Sequence, residues 1–161
     1  MHKLVETLRS KYPNLVFTPS DSFYWSPEGN EIFYDENGSG KIAKWSLIHE
    51  AGHGLLKHKS YDADYMLLRL EIDAWEKAKE IANELDIEID RNHIEDCLDT
   101  YRDWLYKRSI CPKCTNKSIQ QSDFTHYECF NCHTRWRVTT SRFCRTYRMK
   151  DDTTVTQPVF I

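Results

Sequence analysis

Two pairs of cysteines in the last third of the chain constrain the fold more than any other feature of the sequence. Two residues separate the cysteines of each pair and 14 residues separate the pairs, which gives the pattern C-x2-C-x14-C-x2-C. This spacing is close to that of four-thiolate zinc sites, in which two knuckles each lead into a β-hairpin. Four thiolates leave no open position on the metal, so the pattern predicts a structural zinc in a zinc ribbon. The predicted ligands are Cys111, Cys114, Cys129 and Cys132.

The distribution of charge also separates the cysteine-rich segment from the rest of the chain. The net charge of the 161 residues is −3, but residues 1–106 carry 12 Lys and Arg against 21 Asp and Glu, whereas residues 107–150 carry 10 against 2. We therefore expect an acidic domain over residues 1–106, a basic ribbon over residues 107–150 and a tail over residues 151–161. A ribbon of about 40 residues buries too little core to fold alone, and zinc binding supplies the missing free energy.

The sequence contains no signal for a membrane or for secretion. No apolar run approaches the ~18 residues of a membrane span. The N-terminal segment MHKLVETLRSKYP lacks the apolar core of a secretory signal. We therefore expect a cytoplasmic protein with reduced thiols and no membrane partner.

The order of predicted elements indicates an α+β fold. Short segments rich in aromatic and β-branched residues predict strands at 14–18, 22–25 and 31–35. Helices are predicted downstream, beyond the break at Asn37-Gly38-Ser39-Gly40. We expect a domain with a small sheet and several helices, followed by the ribbon. The third strand, EIFYD, is a candidate for an edge strand that pairs with an extended peptide.

A His-Glu-Ala-Gly-His motif lies in the helix predicted at about 41–58. Because residues four apart share a helix face, His49 and His53 can bind one metal ion together. Glu50 can reach a water on that metal, whose pKa zinc lowers to about 7, and can act as general base. Gly52 and Gly54 each cost roughly 1 kcal/mol in a helix relative to alanine. Close approach of another element over the metal, or simple helix–helix packing, would explain them.

A third ligand is expected from the next helix, predicted at about 62–85. The main candidates are Glu71, Asp73 and Glu76, and the less favoured ones are His58, Asp62 and Asp64. Helical periodicity places Glu71 in an apolar stripe with alanines and places Asp73 and Glu76 on the polar face. A lone carboxylate in an apolar stripe is costly unless it is paired or bound to a metal. We therefore favour Glu71 as a ligand; the alternative is that it pairs with Lys or Arg at the edge of the stripe.

The motif HEAGH, followed by Glu-Ile-Asp-Ala-Trp-Glu-Lys-Ala, resembles the gluzincin pattern of the ImmA/IrrE-like metallopeptidases over roughly residues 30–83. The resemblance implies a zincin-like domain in which His49, His53 and Glu71 hold zinc and Glu50 is the catalytic acid/base. Members of that family cleave repressors or other regulatory proteins.

SprT-like proteases are the second resemblance, because they also combine an HExxH domain with a module similar to a zinc ribbon. They act on protein attached to DNA. Their third ligand is typically a histidine of the second helix, and residues 62–85 contain no histidine.

Basic and aromatic residues alternate after the second cysteine pair. If this stretch begins as a strand, Arg135 and Arg137 share one face while Trp136 faces the other. Together with Arg142 and Arg145 they are candidates to contact nucleic acid or substrate, because such residues hold phosphates and stack bases. The alternatives are docking on the acidic domain or on an acidic protein.

These features predict a zinc metallopeptidase with one catalytic and one structural zinc. The two resemblances imply a regulatory or DNA-associated protein as its substrate, which the ribbon would recruit. Residues near the motif in sequence, His58, Tyr61 and Tyr65, are candidates to stabilise the oxyanion. The alternative from another class is a non-catalytic protein in which the ribbon binds nucleic acid or protein and the helical domain is a scaffold.

Overall fold

The computed structural model describes residues 1–138 and 148–150, without the side chains of Arg148 and Lys150. Over these residues the protein is α+β, with four helices and two small sheets, which confirms the predicted class. None of the described helices is both long and apolar enough to cross a membrane. The tail predicted over residues 151–161 lies outside the described residues.

The described residues form two compact units. The first comprises Met1–Tyr61 and Tyr65–Thr100, and the second comprises Asp62–Asp64 and the described residues from Tyr101 onward. The helices are α1 (His2–Lys11), α2 (Gly40–Leu56), α3 (Asp64–Glu84) and α4 (Arg91–Ser109). The bounds of α2 and α3 agree with the predicted ones to within a few residues. The predicted domain limits at residues 106 and 150 stay a prediction.

The sheet of the first unit has three strands in the order β1-β3-β2. They are β1 (Val16–Ser20), β2 (Tyr24–Ser26) and β3 (Glu31–Asp35), with β3 parallel to β1 and antiparallel to β2. The expectation that β3 is an edge strand is therefore wrong, because it pairs on both sides and its backbone groups are used within the sheet. The edges of this sheet are β1 and β2.

One face of this sheet and four helices enclose the core of the first unit. Alternation along β3 buries Ile32 and Tyr34, as expected for a strand with one covered face. Helix α2 contributes Leu47 and Ile48, both fully buried. The remaining buried apolar residues of this core include Val5, Leu8, Phe17, Ala51, Trp75, Ala78, Ile81, Ala82, Ile94 and Leu98.

Helices α2 and α3 approach each other closely at Gly52. A Cβ atom at this position would lie 2.6 Å from the carbonyl oxygen of Ala74, which is backbone of α3. Ala74 and Ala78 are both fully buried. The glycine is explained by helix–helix packing, and the predicted close approach of the alanine stripe to the HEAGH helix is confirmed.

The second unit contains a four-stranded antiparallel sheet in the order β4-β5-β6-β7. Its small core includes two cysteines, Cys111 and Cys129, packed with Tyr127 and Trp136. The strands are β4 (Ile119–Gln120), β5 (Tyr127–Glu128), β6 (Arg135–Val138) and β7 (Arg148–Lys150). Four close cysteines beside short antiparallel strands are consistent with a zinc ribbon.

A buried ion pair joins two segments of the second unit. The Arg108 guanidinium meets the Asp64 carboxylate, with Nε to Oδ2 at 2.5 Å and Nη2 to Oδ1 at 3.2 Å. The Tyr127 hydroxyl donates to the same carboxylate at 2.7 Å, and the Trp136 indole donates to the carbonyl of Arg108 at 3.2 Å. These contacts satisfy polar groups that would otherwise be costly to bury.

Candidate metal centres

Three side chains of the first unit converge on one point. The Nε2 atoms of His49 and His53 are 3.1 Å apart, and Glu71 Oε2 lies 3.2 Å from the first and 3.7 Å from the second. All three residues are buried, with 7–9% of their surfaces exposed. The structure therefore brings together the three residues that the sequence analysis selected for the first metal.

Packing between α2 and α3 produces this convergence. His49 and His53 lie one turn apart on α2, and Glu71 lies one turn before Trp75 on α3. The Trp75 ring packs against the His49 ring, with centroids 4.2 Å apart. Gly52, between the two histidines in sequence, lets α3 come close enough for Glu71 to reach them.

The donor set fits a divalent metal such as zinc. A tetrahedral zinc with bonds of about 2.0–2.1 Å separates its donor atoms by about 3.4 Å, and the three distances here are 3.1, 3.2 and 3.7 Å. Burial raises the pKa of Glu71, but hydrogen bonds from His49 and His53 outweigh it and hold that pKa well below its usual value. The carboxylate is therefore ionised, as a metal ligand must be.

Glu50 lies beside these ligands but is less buried than they are. Burial raises its pKa above the usual value, while the nearby His49 and His53 and the backbone N–H of Trp25 act in the opposite direction. Glu50 therefore combines partial access with proximity to the three-residue cluster, which are the properties a general base requires.

The ring of His58 also adjoins the cluster. Its Nδ1 lies 2.9 Å from Nδ1 of His53. Burial lowers the pKa of His58, and so does its proximity to His53. Tyr65, another oxyanion candidate from the sequence, is 59% exposed.

The four predicted cysteines form the second cluster. Cys111 and Cys132 have Sγ atoms 3.6 Å apart, and Cys114 and Cys129 have Sγ atoms 3.4 Å apart. All four sulfurs lie within 4.8 Å of one another. Tetrahedral zinc with bonds of about 2.3 Å would separate them by about 3.8 Å, so the donor set fits zinc.

The cysteine thiols differ in their readiness to ionise. Burial raises the pKa of Cys111 to about 11. Burial acts in the same direction on Cys129, but hydrogen bonds from the backbone of Cys132 and Asn131 lower its pKa to about 6. Such backbone donors are arranged to stabilise thiolates, the form that binds metal.

The basic residues of β6 are placed as the strand pattern predicted, with one correction. Arg135 and Arg137 share a face, while Trp136 turns to the other. Trp136 is fully buried, so its ring has no surface on which a base could stack, and the predicted nucleic-acid contact at this residue is wrong. Arg142 and Arg145 lie outside the described residues.

Two tryptophans that contact the first cluster were not predicted from the sequence. His58 was predicted as a candidate to stabilise the oxyanion, and the structure places it against the ring of His53. Trp75 supports the ring of His49, and the backbone of Trp25 meets Glu50. Trp75 could have been found, because it lies four residues after Glu71 on the same helix face. Trp25 carried no signal, because it comes from a strand that precedes the motif by more than 20 residues.

Fold and donor sets together define an α+β protein with two groups of side chains that could each hold a metal ion. No protein-family model matches the chain, and neither a curated protein nor a solved structure matches it significantly. The resemblance to ImmA/IrrE-like or SprT-like proteins therefore stays a prediction.

Proposed function

We propose that this protein is a zinc-dependent metallopeptidase in which His49, His53 and Glu71 hold the catalytic zinc. The observation that supports this most directly is the convergence of two imidazole nitrogens and one carboxylate oxygen within 3.7 Å of one another, with Glu50 beside them. Three protein ligands leave a coordination position for water or substrate, which distinguishes a catalytic zinc site from a structural one.

Glu50 would be the general base. Zinc, when bound, supplies a Lewis acid that polarises the scissile carbonyl and acidifies the attacking water. Glu50 takes the proton from that water and later delivers it to the leaving amine. The raised pKa of Glu50 helps the first half of this cycle, because the conjugate base of a weaker acid is a stronger base.

Strand β2 is the strand with which an extended substrate peptide would pair. It is an edge of the three-stranded sheet, and the backbone of Trp25 within it meets the Glu50 carboxylate. A peptide that pairs with an exposed strand edge gains main-chain hydrogen bonds whatever its side chains are. Pairing along β2 would bring a substrate peptide bond beside Glu50, so β2 takes the place that the sequence suggested for β3.

The ribbon would hold the structural zinc and recruit the substrate. Arg135 lies 3.5 Å from Asp123 and 3.8 Å from Glu128, so its charge is partly neutralised within the second unit. Arg137, on the same face, is exposed. The proposed substrate is a regulatory or DNA-associated protein. A SprT-like protease is the variant of this proposal in which the ribbon binds DNA, and steeply salt-dependent DNA binding would support it.

Metal content per chain tests the proposal. Elemental analysis of the wild type is expected to give two zinc ions, with one lost in His49→Ala and in Glu71→Ala and the other lost in Cys111→Ser. His2→Ala, which removes an exposed histidine of α1, is the matched control and should keep both. One zinc in the folded wild type, lost only with Cys111, would favour the non-catalytic binding protein.

Hydrolysis of an unfolded protein substrate tests the chemistry separately. Glu50→Gln is expected to keep both zinc ions and to lose activity by about 10²–10⁴-fold, the usual contribution of a general base. Equal hydrolysis by the wild type and Glu50→Gln would contradict the assigned base, whatever the metal content.

A further inference from the structure

The C-terminal end of α2 returns the chain toward the metal cluster. Helix α2 ends at Leu56, and Lys57 has the left-handed conformation, with φ 55° and ψ 42°. Residues other than glycine seldom adopt this conformation, because it brings Cβ close to the following carbonyl oxygen. It allows the backbone N–H of His58 to donate to the carbonyl of His53 at 3.1 Å. His58 is thereby held beside the second histidine of the motif.

A second contact holds the same residue from the sheet. The indole Nε1 of Trp25 donates to the carbonyl of His58 at 2.8 Å. The Trp25 ring in turn lies against Gly54, where an added Cβ would be 3.1 Å from it. The backbone of His58 is therefore bound on both sides, by α2 and by β2.

The imidazole rings of His53 and His58 meet through their Nδ1 atoms. These atoms are 2.9 Å apart, and the rings are nearly perpendicular, with centroids 4.9 Å apart. Nε2 of His53 faces His49 and Glu71, so its lone pair is the one aimed at a metal. A neutral imidazole that ligates through Nε2 carries its proton on Nδ1. When a metal occupies Nε2 of His53, its Nδ1 is therefore the donor, Nδ1 of His58 is the acceptor, and His58 keeps its own proton on Nε2.

The other histidine ligand has no comparable support. Nδ1 of His49 is buried and makes no hydrogen bond within the described part of the chain. Its ring is held by packing against Trp75 instead. The two histidines of the cluster are thus oriented by different means, His53 by a hydrogen bond and His49 by an aromatic ring.

We propose that His58 is the positioning residue for His53, accepting the hydrogen bond that fixes the tautomer and the ring orientation of this metal ligand. The inference rests on the metal site of the proposed function but not on peptidase activity. Hydrogen-bond partners of ligating histidines raise ligand basicity, and their removal typically costs 10–100-fold in metal affinity.

Cobalt(II) titration followed by optical absorption tests this, because cobalt on four thiolates gives sulfur-to-metal charge-transfer bands that a His-His-Glu site lacks. The affinity of the His-His-Glu site is compared in the wild type, His58→Ala, His58→Asn and the control His2→Ala. His58→Ala is expected to weaken it about 10–100-fold. His58→Asn is expected to restore most of the affinity, because its amide oxygen can accept from His53, and His2→Ala is expected to match the wild type.

Two results with the His58 variants would overturn the proposal, and one result with the wild type would remove its premise. One is wild-type cobalt affinity in His58→Ala. The other is equal weakening in His58→Ala and His58→Asn, which would indicate packing in place of hydrogen bonding. Cobalt binding by the wild type only through thiolates would remove the metal site itself and the proposed function with it. If both His58 variants bind cobalt as expected but the wild type hydrolyses no peptide, this inference stands and the proposed peptidase activity is contradicted.

Discussion

Replacing Gly52 with alanine tests whether helix packing builds the three-residue cluster. The added Cβ would lie 2.6 Å from the carbonyl oxygen of Ala74, whereas an ordinary contact begins at 3.4 Å. Because the atom it meets is backbone, no side-chain rotation relieves the clash, and α3 must move by roughly 0.8 Å, the difference between these distances.

The expected effects on stability and on metal binding differ in size. Overpacking costs about 1–3 kcal/mol, and the better helix propensity of alanine returns about 1 kcal/mol, so Gly52→Ala should lower the free energy of unfolding by at most about 2 kcal/mol. Glu71 lies one turn before Ala74 on the same helix and moves with it. Metal–ligand distances tolerate only about 0.2 Å, so metal affinity at this cluster should fall at least about tenfold.

Gly54→Ala is the matched control, two residues further along the same helix. Its added Cβ would meet side-chain atoms, Leu15 Cδ2 at 3.0 Å and Trp25 Cζ3 at 3.1 Å, and not the backbone of α3. Because Trp25 also holds the backbone of His58, a loss of metal affinity smaller than that of Gly52→Ala is expected here. Metal titration and urea unfolding of both variants compare the two positions. Wild-type metal affinity in Gly52→Ala, or a loss as large in Gly54→Ala, would refute the argument that the α2–α3 approach sets the position of Glu71.

Three further predictions concern the base, the buried ion pair and the ribbon. Burial raises the pKa of Glu50 above 4.5, and only its ionised form accepts a proton, so kcat/KM should fall as the pH drops through a value above 4.5; an acid limb at or below 4.5 would contradict this. Asp64→Asn should destabilise the second unit by about 1.5–3 kcal/mol in urea unfolding, because it removes the negative charge that faces the buried Arg108 guanidinium; a loss below about 1 kcal/mol would disagree. Chelation of the cysteine-bound metal should expose Trp136 and shift its fluorescence to the red, measured as the difference from Trp136→Phe, because two cysteines belong to the same small core. Unchanged emission would mean that this core does not depend on metal.

The helices and the spacing of candidate ligands could be read from local patterns. Helical periodicity placed Glu71 in the alanine stripe of α3, and its burial confirms that reading. The separation of His49 and His53 by four residues predicts a shared helix face without knowledge of any other element. The matched cysteine pairs likewise predict a common site, and all four sulfurs do lie together.

Strand order and side-chain burial in the sheets were beyond such patterns. The segment EIFYD is a strand, as predicted. Its central position in the sheet depends on pairing with β1 and β2, and the residues of the segment do not indicate that pairing. Trp136 alternates with arginines as a base-stacking residue would. Its burial depends on Tyr127 of the neighbouring strand and on the carbonyl of Arg108, and neither is visible from its own segment.

The sequence by itself determined which residues share a helix face or a cysteine pair, because the repeat of a helix and the spacing of a knuckle are properties of a few consecutive residues. Only the tertiary structure decided that α3 approaches α2 at Gly52, that β2 is the edge strand beside Glu50 and that His58 supports His53. These contacts join residues through the left-handed turn at Lys57 or across long stretches of chain. They arise from the packing of whole elements, which short-range periodicity does not encode.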